Sequence, residues 1–349
     1  MFYKITDVIY KGNRCHRSTE DDITSLLVEG PSTFRNHADV LPYLMLEGEN
    51  VVGRLALIHD HRQPDYVQVS FFEALPSLAD VKDIILEQAR KNFPLCRKMV
   101  IGLNGHLNYG AGMLLNNFDK PPVFGLPYTP EYYPDYFRDY RIKTMVSYRF
   151  ATEPFFRYYE RIQQDGKLND IAIRTMNRKK LKDEVKIYTY LNNACFKDHP
   201  YWADRDAGED FELFNPFRFL IKEENLLFAE IDGEPVGFML WYPDFNQLVE
   251  NKTSLGLRHV LRYHLANPVR TFRVTEIAVL PKFHVSMVSQ ALILYATRYI
   301  MKAGYLFGVG GFIFEENRSS IALAERFIKR TTGIDIEPDT KYAVFECDL

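Results

Sequence analysis

A run of strand, loop, helix, strand and helix in the last third of the chain limits its fold more than any other feature of the sequence. An apolar segment at 274–280 is followed by a polar loop at 282–286, and apolar residues then recur at helical spacing through 288–305. A second apolar segment at 305–314 leads to another helical pattern that begins at Ser319. Because unpaired N–H groups point outward at a helix start, the loop before the first helix is placed to hold an anion.

The rest of the chain repeats this order of elements. Hairpins with acidic, glycine-containing turns are predicted at 43–59 and 226–242, and each is followed by a strand, a long helix and further strands. The chain has 349 residues, which is enough for two domains. We therefore predict an α+β fold of two related domains in tandem, each a mixed, mainly antiparallel sheet flanked by helices. The domains are predicted at 1–152 and 170–349, with a connecting helix at 153–169.

Several local patterns predict further elements. Alternation of apolar residues predicts a strand over Phe2–Tyr10. Ser77 is the predicted N-cap of a helix that ends at Asn92. A proline near the start favours a helix over Pro130–Tyr140, and Asn215 before a proline is typical of the start of another short helix.

Charge and cysteine content narrow the range of partners. The net charge is -3 and no basic strip is visible, so a nucleic-acid partner is not favoured. Four dispersed cysteines without a C-x-x-C pair favour reduced thiols in a cytoplasmic protein. There is no signal-peptide pattern and no apolar run of about 18 residues, so no membrane partner is expected, whereas an oligomer is compatible with the sequence. The triplet His59-Asp60-His61 has no third ligand nearby in the sequence, so no metal site is predicted.

The segment Val279–Leu292 and its flanking strands resemble the core of the GNAT superfamily of acyl-CoA N-acyltransferases. In that family a loop of the form Arg/Gln-x-x-Gly-x-Gly/Ala at a helix start holds the pyrophosphate of coenzyme A. Here His284 stands where Arg or Gln is expected, and Val285, Met287 and Ser289 stand where the glycines belong. The missing glycines remove a close approach of phosphate to the backbone, so we predict weak binding of coenzyme A.

The chain as a whole is similar to tandem GNAT-like proteins of a poorly characterised bacterial family. The similarity rests on segments 121–133, 233–238 and 242–246, of which the last resembles a Leu-Pro-Asp-hydrophobic-Asn element of that family. It implies a tandem acyltransferase fold. The first domain would be a degenerate copy, because its loop at 75–77 is too short to hold a pyrophosphate.

The resemblance implies that the second domain holds coenzyme A or acetyl-CoA. Backbone groups of Ile277, Ala278 and Val279 would contact the pantetheine arm, although ordinary buried strand residues would look the same in sequence. The residues that would face the pyrophosphate are His284, Val285, Ser286, Met287, Val288 and Ser289. Asn317 matches a cofactor-side asparagine and is equally suited to cap the following helix.

An N-acyltransferase needs a base that takes a proton from the amine. The resemblance places Glu276 in that role, and burial would raise its pKa into a useful range, whereas a solvated strand glutamate is the alternative. A tyrosine expected on the last helix as the acid is absent, which argues against acid catalysis by a tyrosine there, and a thiolate can also leave unprotonated. Glu73 occupies the matching position in the first half.

An irregular segment at 105–130 is of a kind that is often functional, and the tyrosines at 128–140 either pack in the core or line a cleft.

These residues lead to one main hypothesis and two alternatives. The main hypothesis is an acyl-CoA-dependent N-acyltransferase that acts on an unknown small-molecule amine. The alternatives are a non-enzymatic GNAT-like protein that binds a small ligand or partner, and a Fem-type transferase that uses aminoacyl-tRNA. The ligand is predicted to occupy a slot in the second half between 274–280 and 305–314, kept open by Gly308, Gly310 and Gly311.

Overall fold

The structure is a computed structural model, and it is described for part of the 349-residue chain. The described residues are 2, 4–18, 21–76, 78, 80–165, 171–250, 253–284 and 287–349. The helices are α1 (Lys4–Ile9), α2 (Asp21–Thr24), α3 (Val81–Asn92), α4 (Tyr133–Tyr136), α5 (Glu153–Asp165), α6 (Leu181–Phe196), α7 (Ala207–Phe214), α8 (Leu257–Ala266), α9 (Val288–Ala303) and α10 (Arg318–Thr332). The strands are β1 (Ala38–Glu47), β2 (Asn50–Asp60), β3 (Tyr66–Ala74), β4 (Lys98–Ile101), β5 (Met113–Leu114), β6 (Arg141–Ala151), β7 (Ala172–Thr175), β8 (Leu226–Ile231), β9 (Glu234–Pro243), β10 (Thr271–Val279), β11 (Phe307–Phe314) and β12 (Thr340–Asp348).

The strands form one continuous mixed sheet. Its order is β1-β2-β3-β4-β12-β6-β11-β10-β9-β8-β7, and the short β5 pairs with β12. The β3–β4 and β10–β11 pairs are parallel, whereas the other named pairs are antiparallel. The predicted α+β fold with a mainly antiparallel sheet flanked by helices is therefore confirmed.

The last strand of each half lies beside the other half. β6 is the last strand of the first half and β12 the last strand of the second, but β6 pairs with β11 and β12 pairs with β4. The two strands also pair with each other, which makes the sheet continuous. The division at 1–152 and 170–349 stays a prediction. Helix α5 covers part of the predicted connector, and 166–169 lie outside the described residues.

Helices cover both faces of the sheet in the second half. One face of α9 packs on β8, β9 and β10 in an apolar core; it presents Val288, Leu292, Ala296 and Ile300. Helix α6 packs on the opposite face through Val185, Tyr188 and Leu191. Within the described residues, no helix is both long and apolar enough to cross a membrane.

The prediction of a strand over Phe2–Tyr10 is wrong, because residues 4–9 form α1. The buried side chains there are Phe2, Ile5, Thr6 and Tyr10. Their spacing of three and four residues is that of a helix face rather than of a strand. In so short a segment the apolar residues fit both a strand period of two and a helical period of 3.6. In the structure the segment is helical and packs against β2 and β3.

Two other predicted helices differ from the structure. The helix predicted over Pro130–Tyr140 is limited to the four residues of α4. Asn215 ends α7 instead of capping a new α-helix, and a 3-10 turn follows it. The sequence contains the start signal of α7, because Asp206 and Glu209 form a capping box. Ser77, the predicted cap of α3, lies outside the described residues.

Candidate functional site

The second half contains the predicted slot between β10 and β11. The two strands pair in parallel only from Thr271–Val274 with 307–310. Beyond that point β10 continues alongside β9 after a bulge between Val274 and Glu276, and the pairing of β11 with β6 shifts between Gly310 and Ile313. The predicted divergence of these strands is confirmed. One edge of β10 therefore lies open beside the slot in the described part of the chain.

The bulge also decides which side chains share a face of the sheet. On β9, Tyr242 and Leu240 are two residues apart and point the same way. Arg273 lies opposite Tyr242, and Glu276 lies opposite Leu240. A regular strand would place residues 273 and 276 on opposite faces, but the extra residue brings both onto the face covered by α6. The bulge thus brings a cation and a carboxyl group to the same face.

Glu276 is held by two side chains of α6. Its Oε2 accepts hydrogen bonds from the Tyr188 hydroxyl at 2.8 Å and from Asn192 Nδ2 at 2.5 Å. Burial raises the pKa of Glu276 to about 7, and the two hydrogen bonds oppose that rise. Asn108 of the first half donates in turn to the Tyr188 hydroxyl at 3.2 Å. The predicted base is therefore a half-buried carboxyl group with a pKa near neutrality.

A cavity of about 530 Å³ lies in front of Glu276 and is lined by both halves of the chain. Its wall is mainly apolar and includes Phe150, Phe214, Phe245, Phe272, Ile300 and Phe327. Within the irregular segment predicted as functional, residues 107–110 and 124–129 also line it. The volume is in the usual range for a small-molecule site. The sequence predicted a pocket in the second half, whereas the cavity extends into the first.

The first half presents a second carboxyl group to the same cavity. Glu73 follows an irregularity in the pairing of β2 with β3, as Glu276 follows the bulge of β10. The hydroxyls of Tyr133 and Tyr10 donate to Glu73 Oε2 at 2.5 and 3.1 Å, and Arg54 lies 3.9 Å from Oε1. Burial raises the pKa of Glu73 to about 7, against the effect of Arg54 and the two tyrosines. The predicted correspondence of Glu73 and Glu276 thus extends to their surroundings.

The predicted pyrophosphate loop has few features of a phosphate cradle. His284 Nε2 lies 2.8 Å from the Val279 carbonyl oxygen. The imidazole therefore contacts a backbone group that was predicted to face the pantetheine arm. Met287 is half exposed and gives α9 no side-chain cap, which leaves the helix start open to an anion. Val288 is buried in the core and Ser289 is half-buried, whereas Val285 and Ser286 lie outside the described residues.

The other predicted cofactor residues are divided between the cavity and the core. Ile277 lines the cavity, but the side chains of Ala278 and Val279 are buried in the two cores beside β10. Asn317 caps α10, because its Oδ1 accepts from Ser320 N at 3.1 Å. Its Nδ2 lies 3.4 Å from His199 Nε2, and both side chains line the cavity. The capping alternative is confirmed, and a cofactor role of Asn317 stays a prediction.

Three groups around the site could not be identified from the sequence. Tyr188 and Asn192 lie some 85 positions before Glu276 and reach it only through the packing of α6 on the sheet. Arg273 shares a face with Glu276 only because of the bulge. A helical spacing of four residues between Tyr188 and Asn192 was visible, but nothing in the sequence linked it to β10.

The third ligand that His59 and His61 lacked in the sequence is present in the structure. Asp39 lies opposite His59 on β1, and its Oδ2 is 3.0 Å from His61 Nε2. One ligand atom from each of the three side chains lies within 4.8 Å of the others. The expectation of no third ligand is therefore wrong, because Asp39 comes from the neighbouring strand. His61 and Asp39 are both exposed, and their side chains already contact each other.

Comparisons with known proteins agree with this architecture. No protein-family model matches the chain. A bacterial ceramide synthase of Caulobacter vibrioides is 22% identical over 321 residues, which cover 86% of this chain and 84% of that protein. Protein YghO of Escherichia coli is 20% identical over 197 residues, and the match covers 54% of this chain and 50% of YghO.

Solved structures show the same fold. A tandem GNAT protein from the clavulanic acid biosynthesis pathway aligns with a TM-score of 0.54 and 12% identity, covering 97% of this chain and 91% of that one. A second match is a GCN5-related glucosamine N-acetyltransferase region of a fungal multi-domain β-N-acetylglucosaminidase. It aligns with a TM-score of 0.56 and 10% identity, and the alignment covers 99% of this chain and 36% of that one. The chain therefore has a GNAT fold, in an arrangement similar to that of a solved tandem GNAT protein.

Proposed function

We propose that this protein is an N-acyltransferase that moves an acyl group from a coenzyme A thioester to an amine carrying a long apolar chain. The observation that carries the proposal is Glu276, a carboxyl group with a pKa of about 7 at the divergence of β10 and β11, facing a mainly apolar cavity. The relative described as a bacterial ceramide synthase supports it, because a ceramide is an amide of a long-chain amine and a fatty acid.

Glu276 takes the proton from the amine nitrogen. A base works best when its pKa lies near the working pH, and burial brings Glu276 to that range. The hydrogen bonds from Tyr188 and Asn192 hold Oε2, which leaves Oε1 to accept the proton of the amine. The nitrogen bonds to the acyl carbon, the carbon–sulfur bond breaks, and the proton passes from Glu276 through water to the departing thiolate.

The donor thioester supplies an activated acyl carbon when it is bound. The open edge of β10 would hold the pantetheine arm through backbone groups near Ile277, and the start of α9 would face the pyrophosphate. His284 already contacts the Val279 carbonyl oxygen, and side chains stand where the loop would have glycines. The pantetheine and pyrophosphate of the donor would therefore contribute little to its binding affinity. The apolar cavity would then contribute most of the affinity, which favours long acyl chains over acetyl.

The test is formation of N-dodecylhexadecanamide from palmitoyl-CoA and dodecylamine. Mass spectrometry detects the amide, and a thiol reagent detects free coenzyme A. We expect turnover by the wild-type protein and a loss of roughly 10²- to 10⁴-fold in Glu276→Gln, the usual contribution of a general base. Glu234→Gln is the matched control, because Glu234 is an exposed strand glutamate outside the cavity, and it should keep full activity.

Binding of palmitoyl-CoA without any amide formation would favour the non-enzymatic alternative. Equal rates for wild type and Glu276→Gln would remove Glu276 from the mechanism.

A further inference from the structure

Arg273 is a buried cation on the wall of the cavity. Its side chain is only 5% exposed, yet it forms no ion pair with a carboxylate in the described part of the chain. Its hydrogen bonds go to neutral groups. Nε donates to the Gly311 carbonyl at 3.0 Å, and Nη1 lies 3.3 Å from the Phe124 carbonyl and 3.2 Å from the Tyr242 hydroxyl.

These contacts use three of the five N–H groups of the guanidinium. The two N–H groups on Nη2 have no acceptor among the described residues, and Nη2 is not sealed from the cavity. Asp244, on the loop that also contacts Phe124, is not within ion-pair distance of Arg273, and its carboxylate accepts from Phe124 N, Asn246 N and Gln247 Nε2. The charge of Arg273 thus has no counter-ion among the described residues that contact it.

A glycine beside Arg273 leaves room for its guanidinium. Gly125 has a φ of +78°, and a Cβ at that position would lie 2.5 Å from Arg273 Nη1. Any other residue would push the guanidinium away from the Phe124 carbonyl. A buried charge without a counter-ion is costly, and hydrogen bonds to neutral groups offset only part of that cost. A cavity that retains such a cation is suited to a ligand with a negative charge.

We propose that Arg273 binds an acidic group on the acceptor amine, and this rests on the proposed function. The side chains of Arg273 and Glu276 lie on the same face of β10. Their partners on β9 are two residues apart, so the two side chains start about 7 Å from each other along the strand. A headgroup with its amine at Glu276 and a carboxylate, sulfonate or phosphate a few bonds away spans that distance. The apolar wall of the cavity takes the remainder of the chain. The acceptor class is therefore an amino-acid-like amphiphile.

Calorimetric titration with 2-aminododecanoate and dodecylamine tests this directly, because the two probes carry an amine and an alkyl chain and differ in the carboxylate. We expect wild type to bind 2-aminododecanoate about 10- to 100-fold more tightly, as a charged hydrogen bond provides. Arg273→Met should bind both probes alike. Arg149→Met, an exposed arginine on β6 outside the cavity, should keep the wild-type preference.

Arg273→Lys is a second variant, because Arg273→Met also loses the contacts to two carbonyls and is less stable. The lysine keeps the cation without the planar fork, and we expect an intermediate preference for 2-aminododecanoate. Equal affinity of wild type for both probes, or a preference that survives in Arg273→Met, would overturn the proposal. Acyl transfer to dodecylamine without any preference for the acid would refute the role of Arg273 alone. Failure of both probes to bind would overturn the alkyl-amine assignment as well.

Discussion

Glu276 differs from an ordinary strand glutamate in what surrounds it. Burial raises its pKa to about 7, while Tyr188 and Asn192 donate to one oxygen and stabilise the charged form. The same balance of burial and donated hydrogen bonds occurs at Glu73. At this scale the resemblance to the GNAT core was enough to select Glu276 as the candidate base, because the resemblance aligns the strand that carries it. It could not predict Tyr188, Asn192 or Arg273, since a bulge and long-range packing bring them to the site.

The pH dependence of acyl transfer should follow the carboxyl group of Glu276. Below its pKa the group is protonated and accepts no proton, so kcat/KM should rise with pH through a midpoint of about 7 and then level. Tyr188→Phe removes a donor that stabilises the carboxylate, so the pKa of Glu276 and the midpoint should both move upward. Tyr190→Phe, an exposed tyrosine on the same helix, is the control. If the midpoint were unchanged in Tyr188→Phe, the rise of kcat/KM with pH would have to come from a group other than Glu276.

At the scale of elements, the slot between β10 and β11 depends on the glycines of β11. The resemblance to the GNAT core made the slot predictable, and the bulge in β10 and its short pairing with β11 agree with that prediction. The loop before α9 was harder to place, because its glycine positions are substituted and part of it lies outside the described residues. The N-terminal helix was missed because residues 2–10 fit two periods.

Gly310→Val should remove ligand binding and leave the protein folded. A Cβ on Gly310 meets no heavy atom within 4 Å, and the residue lines the cavity, so the new side chain projects into open space. Binding of palmitoyl-CoA by calorimetry should be lost, with a melting temperature close to that of wild type. Gly308→Val is the contrast, because its Cβ would lie 2.3 Å from the Phe150 ring and should destabilise the protein. Full binding by a folded Gly310→Val protein would place the ligand elsewhere.

At the scale of the whole molecule, the two halves build the site together. Arg62 of the first half reaches Glu209 of α7 at 2.9 Å while also pairing with Asp60 at 2.7 Å, and all three are largely buried. Asn108 crosses to Tyr188 and so supports Glu276 from the other half. The exchange of β6 and β12 could not be predicted, because strands close in sequence normally pair with each other. The position of Glu276 therefore depends on contacts from both halves.

A crystal structure with palmitoyl-CoA tests the central claim most directly. We expect the pantetheine arm along the open edge of β10, and the thioester carbon placed so that the attacking amine nitrogen fits between it and Glu276, within direct or one-water reach of the carboxylate. The acyl chain should lie in the shared cavity beside Phe150 and Phe272. A thioester at Glu73 between β3 and β4, or an acyl chain outside the cavity, would contradict the account.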